Sequence, residues 1–129
     1  MSYYVARTLR IPFEAAVARV EEALKEEGFG VVSHIDIRET LKRKIDVDFR
    51  PYCILGACNP RLALEALQLE NKVGTMLPCN VVVQQTGPME SEVAAIDPVA
   101  SMQAIDNPAL LQAAQKVREK LVCVLDRLD

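Results

Sequence analysis

Tyr52-Cys53-Ile54-Leu55-Gly56-Ala57-Cys58-Asn59-Pro60 decides how the rest of this chain is read. Tyr52 to Ala57 runs without polar alternation, which marks a strand buried on both faces or lying at a sheet centre. Asn59-Pro60 then opens a helix: the Asn side chain accepts from free amides as N-cap, and proline at the first helical position gives up an N–H that would have no partner there. An echo follows in Leu77-Pro78-Cys79-Asn80-Val81-Val82-Val83. Pro78 forbids a helix across it, so Cys79 to Thr86 reads as the next strand. Gly87-Pro88-Met89-Glu90 is a turn and Ser91 to Ile96 a return strand, the strongest hairpin signal in the chain. The two quoted runs carry three of the four cysteines within residues 53 to 79, and adjacent strands there would gather them.

Working outward, Tyr3 to Leu9 is rich in aromatic and β-branched residues and predicts a first strand. Pro12 suits a helix start, and Phe13, Ala16, Val17, Val20, Ala23 and Leu24 follow at spacings of three and four. Gly28 supplies a left-handed stop with Phe29 placed to pack back on the last turn. Gly30 to Ile37 predicts a strand with Val31, Ser33, Ile35 and Ile37 on one face and Val32, His34, Asp36 and Arg38 on the other. Leu41 to Ile45 predicts a short helical turn. Pro60 to Glu70 predicts a helix that buries Ala63, Leu64, Ala66 and Leu67, and Val73 to Leu77 a short apolar connector. Asp97-Pro98 and Asn107-Pro108 repeat the Asx-Pro start. The last helix, about residues 108–126, sets Leu110, Ala114, Val117, Leu121, Val124 and Leu125 in a stripe that continues to Leu128 and must lie across the sheet.

Helices mixed with hairpin-paired strands predict an α+β fold: one domain over residues 1–129, with a mostly antiparallel sheet of about five strands packed on helices. A doubly wound parallel sheet is the alternative.

The 129 residues suffice for one domain with a real core. A net charge of −3 argues against nucleic acid or an anionic membrane as partner, since phosphate binding needs a cationic footprint. The basic run from Arg38 to Arg50 is broken by Glu39, Asp46 and Asp48 and reads as a solvated face. The start, Met-Ser-Tyr-Tyr-Val-Ala-Arg, shows no basic leader or apolar core, and no 18 apolar residues run together. A cytosolic protein with four thiols rather than two disulfides is expected.

Cysteine is the chemically suggestive residue. Cys53 and Cys58 are five apart, so an uninterrupted strand sends their sulfurs to opposite faces. That spacing, with His34 the sole histidine, argues against a structural zinc site. Cys58 immediately precedes the N-cap Asn59, where a helix dipole favours a thiolate. The competing reading makes Cys58 and Cys79 small buried hydrophobes, and more so Cys53 and Cys123, which sit in apolar runs. His34 would serve any step needing imidazole, with Asp36 two residues on to orient it. No dinucleotide, P-loop, zinc-protease or nucleophile-elbow signature occurs, and no cofactor or metal is expected.

Leu55-Gly56-Ala57-Cys58-Asn59-Pro60, with Leu77-Pro78-Cys79-Asn80 ahead of Val81-Val82-Val83, resembles the family known as domain of unknown function 302. The likeness rests on Asn59, Pro60, Leu77, Pro78 and Cys79 and spans about residues 34–97. It implies a curved antiparallel sheet akin in layout to TATA-binding-protein-like folds, a homodimer, and no established activity. Two functions from different classes are therefore expected to compete. One is a small-molecule-binding or interaction module, and the other is redox, sulfur or soft-metal chemistry at Cys58 and Cys79. The candidate ligand-binding residues are His34, Cys58, Asn59, Cys79 and Asn80.

Overall fold

A computed structural model describes residues 2–128. The elements follow in the order β1 (Tyr4–Leu9), α1 (Phe13–Glu26), β2 (Gly30–Asp36), α2 (Ile37–Ile45), β3 (Tyr52–Cys58), α3 (Pro60–Leu69), a 3-10 turn (Val73–Met76), β4 (Cys79–Gly87), β5 (Glu90–Ile96), α4 (Pro98–Ser101) and α5 (Pro108–Asp126). The strands form one open sheet in the order β1-β5-β4-β3-β2, with every neighbouring pair antiparallel. The fold is α+β, as the mixed element order predicts. The quoted runs lie side by side, with Ala57 opposite Cys79 and Cys53 opposite Val83. β4 is the central strand of the five.

Period-two alternation gives the sheet two unlike faces. One carries Cys53, Leu55 and Ala57 from β3, Cys79, Val81 and Val83 from β4, and Val93 and Ala95 from β5, all buried. Helices α1 and α5 cover it, adding Val20, Leu24, Leu121 and Val124 to the same core. The other face is left bare of helices in three rows. Tyr4, Ile96, Asn80, Gly56 and Ser33 form the first, Ala6, Ala94, Val82, Ile54 and Ile35 the second, and Thr8, Glu92, Gln84 and Tyr52 the third.

Local chemistry sets the helix ends. Gly28 sits at φ 85°, and the pair Gly28 N–H to Lys25 O and Phe29 N–H to Leu24 O closes α1 while Phe29 buries its ring. Asn59, Asp97 and Asn107 each accept from backbone amides at the starts of α3, α4 and α5. Arg127 donates to Glu26 and Glu27, tying the end of α5 to α1.

Several expectations fail for identifiable reasons. Strand β2 stops at Asp36, whose carboxylate accepts from the Glu39 amide at 2.9 Å, so α2 begins a turn earlier than its apolar spacing suggests. A bulge between Val31 and Ser33 breaks the β2 alternation, so Val31, opposite Ala57, leaves the face it was expected to share with Ser33 and Ile35, while Ser33 and Ile35 still lie opposite in face to His34 and Asp36. Helix α3 buries Ala66 alone, while Leu64 and Leu67 remain exposed because no element lies outside that face. Cys123 is exposed despite its apolar neighbours, since it falls just off the buried stripe of α5.

Candidate functional site

The β3–β4 pair ends where α3 begins, and this junction shapes an apolar cleft. Its floor is Ala57, Cys58, Asn59, Pro78 and Cys79, and one wall is Leu62, Ala63 and Ala66 of α3. The far wall comes from α5 through Leu110, Ala113, Ala114 and Val117, and one end is closed by Pro98 and Met102. The cleft has a volume of about 40 Å³, room for little more than one or two waters. Beneath α3 a second hydrophobic cluster of Ala66, Val73, Met102, Leu110 and Ala114 stands apart from the main core.

Of the five candidate residues, the structure brings Cys58, Asn59 and Cys79 together in this cleft. Asn59 spends its carbonyl oxygen on the Leu62 amide at 3.2 Å, so its first role is to start α3. Asn80 belongs to the opposite, open face of the sheet, one residue out of phase with Cys79. His34 lies on the edge strand in a shallow surface depression with Asp36, Glu39 and Arg43, away from both cysteines. Asp36 is engaged in capping α2. Sequence reading missed the α4 and α5 contributors to the cleft. The signal was present in the adjacent small residues Ala113 and Ala114, which leave room beside the α5 stripe where another element can approach.

Burial sets the sulfur chemistry. Desolvation pushes the Cys79 thiol up to about 11, and the nearby Cys58 sulfur adds to the rise. Cys53 is likewise pushed up to about 11, mainly by burial. Neither is a thiolate at neutral pH, so neither has the activation that a nucleophile or soft-metal ligand draws from a depressed pKa. Among the described residues no group of three or more His, Cys, Asp or Glu side chains is placed to hold a metal ion. No helix is long and apolar enough to cross a membrane.

Raised thiol values also make a stability statement. The unfolded chain releases these protons from the ordinary value of 9.0, whereas the folded protein holds them to about 11. The stabilisation is complete below the lower value and disappears as pH climbs through the higher. Denaturant midpoints should stay level up to the ordinary thiol range and fall above it. In iodoacetamide labelling read by mass spectrometry, exposed Cys123 should react first and half-buried Cys58 next, with Cys53 and Cys79 protected until the chain unfolds.

An open antiparallel sheet covered on one face by helices, with an apolar cleft at a strand-to-helix junction, defines a small single-domain α+β protein. This chain belongs to the family described as "Domain of unknown function DUF302", which matches residues 5–128. It is similar over its whole length to the crystal structure of an uncharacterized conserved protein DUF302 from Bacillus stearothermophilus, with 31% identity, 100% of both chains covered and a TM-score of 0.92. No curated protein matches the chain.

Proposed function

We propose that the protein is a small-molecule-binding module whose ligand inserts an apolar group between α3 and α5. The observation that supports this most is the cleft itself: its lining is almost wholly hydrocarbon and sulfur, and its α3 wall buries only Ala66. A helix so lightly anchored is a movable wall. Its polar ties to α5 are the Lys116–Glu65 ion pair at 3.2 Å, whose side chains are about half exposed and worth at most about 1 kcal/mol, and the exposed bond from Asn107 Nδ2 to Leu69 O at 3.1 Å. Ligand pockets commonly reach roughly 300 Å³ or more, so the present 40 Å³ is a closed state that outward movement of α3 enlarges.

An alkyl-chain fluorophore provides the test. It should bind the native protein and slow the labelling of Cys58. Ala63→Leu, which adds methylenes to the half-buried α3 wall, should weaken binding about tenfold or more without altering the circular dichroism. Equal binding by wild type and Ala63→Leu would remove the cleft as the site. Silver or copper(I) uptake, or thiol turnover, that disappears in Cys58→Ser and Cys79→Ser while the fluorophore is ignored would instead establish the sulfur reading.

A further inference from the structure

We infer that the open face of the sheet carries a second binding site, whose ligand is a small organic amine: a single ammonium group joined to a compact apolar body. The site is a trough of about 360 Å³, within the size range of ligand pockets and far roomier than the α3–α5 cleft. It shares no lining residue with that cleft and stands independently of it.

Side-chain size, row by row, explains the hollow. Its floor is Val82 and Ala94 of the middle row, where Ala6 continues the low stretch onto β1. Tyr3, Tyr4 and Ile96 stand at one end, the two tyrosine rings meeting edge to face at 5.0 Å. Tyr52, Gln84 and Glu92 stand at the other. Ile96 and Glu92 are four residues apart on β5, which sets the ends about 13 Å apart at the usual strand rise. That length holds a ring, a short linker and a charged head.

The two ends differ in chemistry, and the difference selects the ligand. Ile96 and the tyrosine pair offer the apolar body a hydrocarbon and aromatic wall. At the far end Glu92 is the one charged side chain among the described lining residues. Gln84 holds it in place: Arg50 Nε donates to Gln84 Oε1 at 2.9 Å, which leaves Gln84 Nε2 to donate to Glu92 Oε1 at 3.1 Å. Among the described residues the second Glu92 oxygen makes no hydrogen bond, so it is free to accept from an ammonium. Tyr52, in the same row across β4, adds a ring whose face attracts a cation. Arg50 does not line the trough, and its guanidinium lies 4.4 Å from the centre of the Phe49 ring. One carboxylate suits one ammonium, so a polyamine gains little here and an anion meets like charge.

The chain supplies its own reporter. All three of its tyrosines line the trough and it has no tryptophan, so its ultraviolet emission reads this site. Cyclohexylethylamine, which does not absorb where tyrosine does, should change that emission saturably and bind about tenfold tighter than its neutral isostere cyclohexylethanol. Glu92→Gln should erase that preference and leave the alcohol's affinity as it was. Ala94→Leu raises the floor and should weaken both ligands about tenfold, with circular dichroism unchanged in either variant. Ala63→Leu, on the helix side, should bind the amine as the wild type does, which separates failure here from failure of the cleft. Four results would each overturn the proposal: no saturable change, equal affinity for amine and alcohol, undiminished amine binding in Glu92→Gln, or its loss in Ala63→Leu. Emission that follows protein dilution and ignores the amine would give this face to a second copy and overturn it equally.

Discussion

Leu55→Ala should destabilise the protein by about 3 kcal/mol, within the roughly 2–5 kcal/mol observed when a fully enclosed leucine is cut back to alanine. Leu55 has 0% exposure and points from β3 into the helix-covered face, with β2 on one side and β4 on the other. The lost contacts cannot be recovered by collapse, because the strand is hydrogen-bonded along both edges and holds its backbone in place. Against a total of about 5–15 kcal/mol for a domain of this kind, such a loss is severe. Urea unfolding should show a lower midpoint at an unchanged slope. Ile54→Ala, one residue along on the open face, should cost clearly less in the isolated subunit. An equal cost at both positions would contradict the two-faced sheet.

Asp97→Ala should cost about 2 kcal/mol, the next largest effect. Asp97 is only 7% exposed, and one carboxylate oxygen accepts from the amides of Val99 and Ala100 at 3.0 and 3.3 Å. The other accepts from Arg118 Nε at 3.0 Å. Losing the cap costs about 1 kcal/mol. Stranding the guanidinium adds less than in a sealed interior, because Arg118 is 37% exposed and water replaces part of the pairing. Asp97→Asn keeps the capping oxygen and should lose roughly half as much. The consequence reaches the cleft: Pro98 and Met102 close its end from the segment that Asp97 fastens to α5. The alkyl fluorophore should therefore bind Asp97→Ala less tightly even below the unfolding transition.

The cleft was only partly readable from the chain. Cys58, Asn59 and Cys79 meet there because two strands pair, and a paired register follows from two apolar runs that each adjoin a sharp stop. The opposing wall from α5 lies some fifty residues further on, and nothing in the quoted runs indicates which helix face will settle over them. The sequence groups Asn80 with the cysteines because it adjoins Cys79, and His34 because it is the sole histidine. Period-two alternation sends Asn80 through to the other side, and the edge position of β2 keeps His34, opposite Leu55, away from Cys58 and Cys79.

Interactions within a few residues are what the sequence by itself determined. The Asx-Pro helix starts, the Gly28 stop, the Gly87–Glu90 hairpin and the α+β element order all come from backbone preferences and side chains that cap their own neighbours. Only the tertiary structure decided burial. Leu64 and Leu67 have the same helical spacing as Leu121 and Val124, yet one pair faces solvent and the other the core. Periodicity fixes which residues share a face, but which faces are covered depends on where distant elements come to rest, and that is an energy summed over the whole molecule.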